Sequence, residues 1–226
     1  MKIISWNCNG NLKNKIQYLE PYNADIIIIQ EPEYQDMKTF NGYDYTWVGE
    51  NPKKGLGVLH KKPINIIEDL NKTYQYYIPF ECNDISLLAT WSFNHRAKDS
   101  RKGYAIDAFK FMENWIDQNT KMIILGDFNH SVIWDNKLPE QYTFKNLNDF
   151  MVNKGFKSIY HQTHEEKLGS ESCPTFYHQK NANKPFHIDY GYIKGFNSYH
   201  LEVGNYSDWI KHSDHMPLIM NIKDTN

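Results

Sequence analysis

The chain has 226 residues, 40% hydrophobic and 23% charged, which excludes a disordered or fibrous chain and suits one large globular domain spanning 1–226. Its formal charge of -2 excludes a grip on long nucleic acid by bulk positive charge and leaves any polyanion contact to a local patch or a metal. Three cysteines without metal-type spacing, no signal-like leader and no apolar run of about 18 residues point to a cytoplasmic protein with free thiols and no membrane anchor.

The chain opens with a predicted strand from Lys2 to Cys8 that ends in Ser5-Trp6-Asn7-Cys8-Asn9-Gly10 and leaves Asn7 at its exit. Lys13 to Tyr22 carries Ile16, Leu19 and Tyr22 at roughly helical spacing, with Pro21 near its close. Asp25 to Gln30 reads as a buried strand followed by Glu31-Pro32, so a second polar residue stands at a strand exit. A βαβ opening of this kind gathers strand ends at one rim, the usual place for a site in open α/β sheets.

From Tyr43 to Phe93 the pattern becomes a meander of short strands, Tyr43 to Val48, Leu56 to His60, Ile64 to Ile67, Tyr76 to Phe80 and Ile85 to Trp91, for which antiparallel pairing is expected. Asn94 to Gly103 is a loop with Arg96, Lys98, Arg101 and Lys102 against Asp99 alone, the clearest basic patch in the chain. Such runs are usually solvated surface, and the alternative is a contact to phosphate. Tyr104 to Gln118 has an amphipathic helical pattern through Ile106, Phe109 and Met112.

Met122-Ile123-Ile124-Leu125-Gly126 is a short apolar strand that delivers Asp127 and Asn129 at its exit. In extended chain these two side chains project to the same side, an acid able to take a proton beside an amide able to orient a water. Asn146 to Asn153 reads as a helix stopped at Lys154-Gly155, Glu165 to Cys173 as a polar loop, and Pro174 to His178 as a short strand. Pro185 opens a strand running to Lys194 that carries Asp189 among apolar and aromatic residues, and a carboxylate placed there needs a partner or a metal. Asp214 and His215 precede a last strand from Met216 to Ile222.

The chemistry-bearing residues are thus Asn7, Glu31, Asp127, Asn129, Asp189, Asp214 and His215, all at or beside predicted strand ends. Carboxylates that crowd together need a cation, and an all-oxygen set with few imidazoles suits Mg²⁺ or Mn²⁺ rather than zinc. His215 reads either as an ordinary cap or as an imidazole held by Asp189 and aimed at a developing oxyanion.

Ser-Trp-Asn-x-Asn-Gly, Ile-Gln-Glu, Gly-Asp-Phe-Asn, His-Ile-Asp-Tyr and Ser-Asp-His, in this order, resemble the endonuclease/exonuclease/phosphatase superfamily from Asn7 to His215. The resemblance implies a four-layer α/β sandwich of two mixed sheets flanked by helices, as in deoxyribonuclease, and a Mg²⁺-dependent phosphodiesterase acting on DNA, nearest to the exonuclease III and abasic-site endonuclease branch; a monomer is expected. A small phosphoester of a metabolite or lipid headgroup is the alternative substrate, and an inactive binding module on the same fold the remote one. By resemblance Glu31 ligates the metal with Asp214 and Asn7 near it, Asp127 deprotonates the attacking water, Asn129 holds that water or a phosphate oxygen, and His215 paired with Asp189 stabilises charge on phosphorus. Asn9, Arg96 and Arg101 fall to substrate binding.

Many members carry a Thr-His pair on the middle strand, where this chain reads Thr90-Trp91. Tyr104 is the candidate for the missing leaving-group acid, with His95 as rival and helix packing as the alternative reading of Tyr104. Phe176, Phe186 and Ile188 resemble the wall of a small pocket for a flipped sugar, with core packing as the alternative.

Overall fold

A computed structural model describes residues 1–93 and 104–223. The basic loop, with His95, Arg96 and Arg101, lies outside the described residues.

Two six-stranded mixed sheets lie face to face. The first contains β1 (Lys2–Asn7), β2 (Ile26–Gln30), β3 (Asp44–Asn51), β4 (Lys54–His60), β13 (Tyr199–Val203) and β14 (Leu218–Ile222), in the order β13-β14-β1-β2-β4-β3. The second contains β5 (Asn65–Ile66), β6 (Tyr77–Cys82), β7 (Ile85–Trp91), β8 (Met122–Asp127), β9 (Lys157–Ser158) and β12 (Asp189–Lys194), in the order β5-β6-β7-β8-β12-β9. The central pairs β1·β2 and β7·β8 are parallel, and the other pairings are antiparallel. The meander is divided, its first hairpin going to one sheet and its later strands to the other.

Alternation along the strands builds the layers. Ile3, Ile26, Ile28, Val58, Ile78, Leu87, Ile123 and Leu125 point between the sheets and form the central core. The opposite faces of the strands bury outer cores, one under α3 (Ala105–Phe111), α4 (Glu113–Gln118) and α5 (Phe144–Asn153), the other under the segment 12–22 and α7 (Tyr206–Trp209). This is the four-layer sandwich that the resemblance implies.

Several elements differ from their sequence patterns. Lys13 to Tyr22 is not an α-helix but three consecutive 3-10 turns, Leu12–Asn14, Ile16–Tyr18 and Glu20–Tyr22. Apolar residues exactly three apart match the 3-10 repeat, and Pro21 removes a donor that an α-helix would use. The pattern from Tyr104 to Gln118 becomes two helices broken at Met112, which caps the first with a non-helical backbone. The expected strand from Pro185 to Lys194 is interrupted at His187 and Ile188: β11 (Pro185–Phe186) forms a hairpin with β10 (Phe176–Tyr177), and β12 starts afresh at Asp189. Strands β9 and β13 and helix α6 (Ile159–His164) had no clear pattern in the sequence.

Candidate active site

Four strands of the two sheets bring their ends to one rim. Asn7 ends β1, Asp127 ends β8, Asp189 begins β12, and the segment 213–215 leads into β14. In the ladders, Asn7 is opposite Gln30, and Asp189 is directly opposite Asp127.

Gly126 makes that arrangement possible. A Cβ at this position would collide with the backbone of Thr90 on the neighbouring β7, so only glycine lets β8 approach closely enough to carry Asp127 to the rim. Asn129 does not continue in extended chain beside Asp127 as the spacing suggests. It takes a left-handed backbone, φ 46°, and turns back. Its backbone N–H donates to Asp127 Oδ1 at 2.8 Å, and its amide donates to Asp127 Oδ2 at 3.0 Å and to the Ser92 carbonyl at 3.1 Å. The amide of Asn7 donates to Asp127 Oδ2 from the other sheet at 2.9 Å. Asp127 is 0% exposed and held by donors from both sides.

The segment 213–215 is clamped to β1. Ser213 Oγ donates to the Asn7 carbonyl at 2.7 Å and accepts from the His215 backbone N–H at 3.0 Å, and Trp6 Nε1 donates to the His215 carbonyl at 2.9 Å. His215 Nδ1 donates to both carboxylate oxygens of Asp189, at 3.0 and 3.2 Å, while Nε2 lies 4.0 Å from Asp127 Oδ2. Thr175 fixes Asp189 in turn, because its Oγ1 accepts from the backbone N–H groups of both Ile188 and Asp189 at 3.0 Å. Asp127, Asp189 and His215 offer ligand atoms that all lie within 4.8 Å of one another.

Burial pushes the Asp127 carboxyl up and the charge of Asp189 adds to it, raising it to about 7 although His215 and the N–H donors oppose the rise. For His215 burial acts downward, but the carboxylates of Asp189 and Asp127 outweigh it and raise the imidazole to about 10. The imidazole is therefore a cation at neutral pH, with no lone pair for a metal.

A second acidic group lies beside the first. Asn9, also left-handed at φ 52°, donates from its backbone N–H to Asn7 Oδ1 at 3.1 Å and from its amide to Asp214 Oδ1 at 3.1 Å. Glu31 is a third left-handed residue, φ 66°, and its carboxylate pairs with the Lys54 ammonium at 2.5 Å. Non-glycine residues held in this backbone region tend to mark functional sites. Lys15 braces the loop from below, its ammonium donating to the carbonyls of Cys8 and Gly10 at 2.6 and 2.7 Å.

Of the remaining expected site residues, Tyr104 caps α3 and stacks on Tyr142 at 3.7 Å, with Phe128, Phe144 and Tyr190 among the buried rings of the same outer core. No contact among the described residues joins it to Asp127 or Glu31. Phe176 lies 4.6 Å from the His215 ring, and Phe186 lies 6.3 Å from Phe176. Ile188 is 2% exposed and belongs to the interior rather than to an open wall. Trp134, 5.2 Å from Phe186, extends the aromatic wall instead and carried no signal in the sequence. Lys54 carried no such signal either, since only long-range pairing brings it to Glu31.

Residues 4–215 match the model of the Endonuclease/Exonuclease/phosphatase family. No curated protein is similar enough in sequence to match. Solved structures with a similar fold include the 3'-5' exonuclease NExo from Neisseria meningitidis, 18% identical over 99% of this chain and 100% of that one, with a TM-score of 0.67. An AP endonuclease from Archaeoglobus fulgidus is 17% identical over 99% and 100%, with a TM-score of 0.72. Truncated TDP2 from Caenorhabditis elegans is 16% identical over 99% and 97%, with a TM-score of 0.68. At such identities the likeness carries the fold alone.

Proposed function

This chain belongs to the endonuclease/exonuclease/phosphatase family, a family of metal-dependent phosphoester hydrolases, and from that premise we propose that it is a Mg²⁺- or Mn²⁺-dependent phosphodiesterase acting on DNA. The observation that carries the reading is the buried, donor-clamped Asp127 facing the His215–Asp189 pair across 4.0 Å. An AP endonuclease and the 3' phosphatase NExo bound to a product DNA hairpin are among the proteins of similar fold, which supports DNA as the substrate.

The residues present fit a hard divalent cation. Glu31 is left-handed, carries its carboxylate at the rim and already holds a cation there, the Lys54 ammonium. Glu31 and Asp214 would hold the metal with Asn7 near it, an oxygen donor set suited to Mg²⁺ or Mn²⁺. Asp189 and Asp127 are the less suitable seat, because His215 already supplies a positive charge between them. When bound, the cation supplies Lewis-acid stabilisation of the leaving oxygen.

The chain's own groups do the rest. Asn7 and Asn129 hold both Asp127 oxygens by N–H donation and so aim the carboxylate. Asp127 takes the proton of the attacking water as its oxygen bonds to phosphorus. The His215 imidazolium, fixed by Asp189, donates to the non-bridging oxygens on which charge accumulates, the kind of preorganised donor that contributes most to such reactions. Phe176 and Phe186 flank the site on the His215 side, where a sugar or base can pack on them.

The test is a substrate panel in Mg²⁺ and in Mn²⁺: an abasic-site duplex, plain single- and double-stranded DNA, and a simple phosphomonoester. Cleavage of any DNA strand with little turnover of the monoester is the expected result. Turnover of the monoester alone would reassign the protein to small phosphorylated substrates.

A further inference from the structure

Among the described residues Lys54 pairs with Glu31, and the fold puts it there. The Glu31 N–H donates to the Gly55 carbonyl at 2.8 Å, and the Gly55 N–H donates to the Pro32 carbonyl at 3.1 Å. These two backbone bonds pin the Glu31–Pro32 turn to the start of β4, where Lys54 stands. Gly55 packs so tightly on Trp47 and the Val48 carbonyl that any side chain there would push β3 and β4 apart. The Lys54 ammonium therefore meets Glu31 Oε2 at 2.5 Å while its side chain remains 51% exposed, against 16% for Glu31.

Lys54 also lies near Trp91, whose ring centroid is 6.0 Å from the ammonium. Trp91 is the β7 residue in register with Asp127 on β8, so it stands one strand away from the carboxylate that receives the water's proton. An indole has no group that can donate to an oxygen from its ring face, but that face attracts a cation. Asp127 ends β8 of the second sheet, whereas Glu31 follows β2 and Lys54 begins β4 of the first, so the carboxylate and the ammonium come from different sheets. In-line displacement needs the leaving oxygen opposite the attacking water.

We propose that Lys54 is a catalytic residue that donates to the leaving oxygen of the scissile phosphodiester. This deepens the phosphodiesterase reading and rests on it. As the water oxygen bonds to phosphorus and gives its proton to Asp127, the bond from phosphorus to the leaving oxygen breaks and its electron pair stays on that oxygen. Lys54 N–H groups stabilise the resulting charge, and the oxygen then takes a proton from solvent. Before metal and substrate bind, Glu31 holds the ammonium in place.

The experiment compares wild type, Lys54→Met and Lys54→Arg on two diesters in Mn²⁺, a DNA oligonucleotide with an alkoxide leaving group and bis(p-nitrophenyl) phosphate, whose phenolate leaves without help. Mn²⁺ binding to each protein is measured by calorimetry in the absence of substrate. Lys54→Met is expected to lower kcat on DNA on the order of 10²-fold, the loss typical of one donor at a developing charge, and to leave the aryl diester within about fivefold. Lys54→Arg, which keeps charge and donors, recovers most of the DNA activity. Mn²⁺ binds Lys54→Met as tightly as wild type or a few-fold more tightly, because a competing cation has been removed from Glu31.

Equal losses on both diesters, or Mn²⁺ binding weakened tenfold or more, would show that Lys54 only positions Glu31 and would overturn the proposal. Wild-type protein that cleaves neither diester would refute the phosphodiesterase reading itself, and the role of Lys54 with it.

Discussion

Asp127 is the residue on which the chemistry turns, and its environment sets the pH dependence. It works as a base only when ionised, and burial together with Asp189 raises it to about 7, so kcat/KM should climb about tenfold per pH unit below that point and level off above it. A divalent cation on Glu31 favours the carboxylate and moves this limb lower. His215 works only when protonated, and activity should fall again as the pH passes about 10. Asp189→Asn tests both signs together. It removes a charge that raises Asp127 and the partner that raises His215, so the acid limb and the alkaline limb should both move down in pH. A pH–rate profile in which the alkaline limb stays at about 10 would mean that Asp189 does not hold the imidazolium.

At the scale of elements, the site depends on strand ends being held in register. Gly126→Ala forces a side chain into the Thr90 backbone, and overpacking of that kind costs about 1–3 kcal/mol. A chain of this size should lose roughly 2–4 °C in Tm per kcal/mol, readable by thermal melt. Thr175→Val leaves two buried N–H groups, of Ile188 and Asp189, without their acceptor, each costing about 1–3 kcal/mol. That variant should lose activity as well as stability, because Asp189 is the residue set loose. The apolar run into Gly126 and Asp127 was legible because a buried strand and the glycine that ends it leave strong local marks. The 3-10 turns before β2, the break in the α3–α4 segment and the interruption between β11 and β12 were not, since local spacing was overruled by how each piece packs on its sheet. The left-handed backbone of Asn129 reversed the expected geometry of Gly-Asp-Phe-Asn while still bringing its amide to Asp127.

For the whole molecule, the order of five short motifs made the family and the four-layer architecture readable, because each motif sits at a strand end and the fold gathers those ends at one rim. Residues that reach the rim only through distant pairing left no comparable mark. Lys54 is fixed there by backbone bonds between the β2 exit and β4, and Trp134 by its contact with Phe186. Tyr104 shows the converse, a residue whose place in the chain suggested the site and whose ring stacks on Tyr142. The formal charge of -2 predicts modest affinity for duplex DNA and a shallow dependence of binding on salt, measurable by titration at rising ionic strength.

The most direct measurement is single-turnover cleavage of a DNA oligonucleotide by wild type and Asp127→Ala, each in Mg²⁺ and in EDTA, with circular dichroism to confirm that the variant is folded. Cleavage by wild type in Mg²⁺ alone, with Asp127→Ala folded but slower by at least about 10³-fold, is the predicted result. A folded Asp127→Ala protein that cleaves at the wild-type rate, or wild-type cleavage undiminished by EDTA, would contradict a metal-dependent attack based on Asp127.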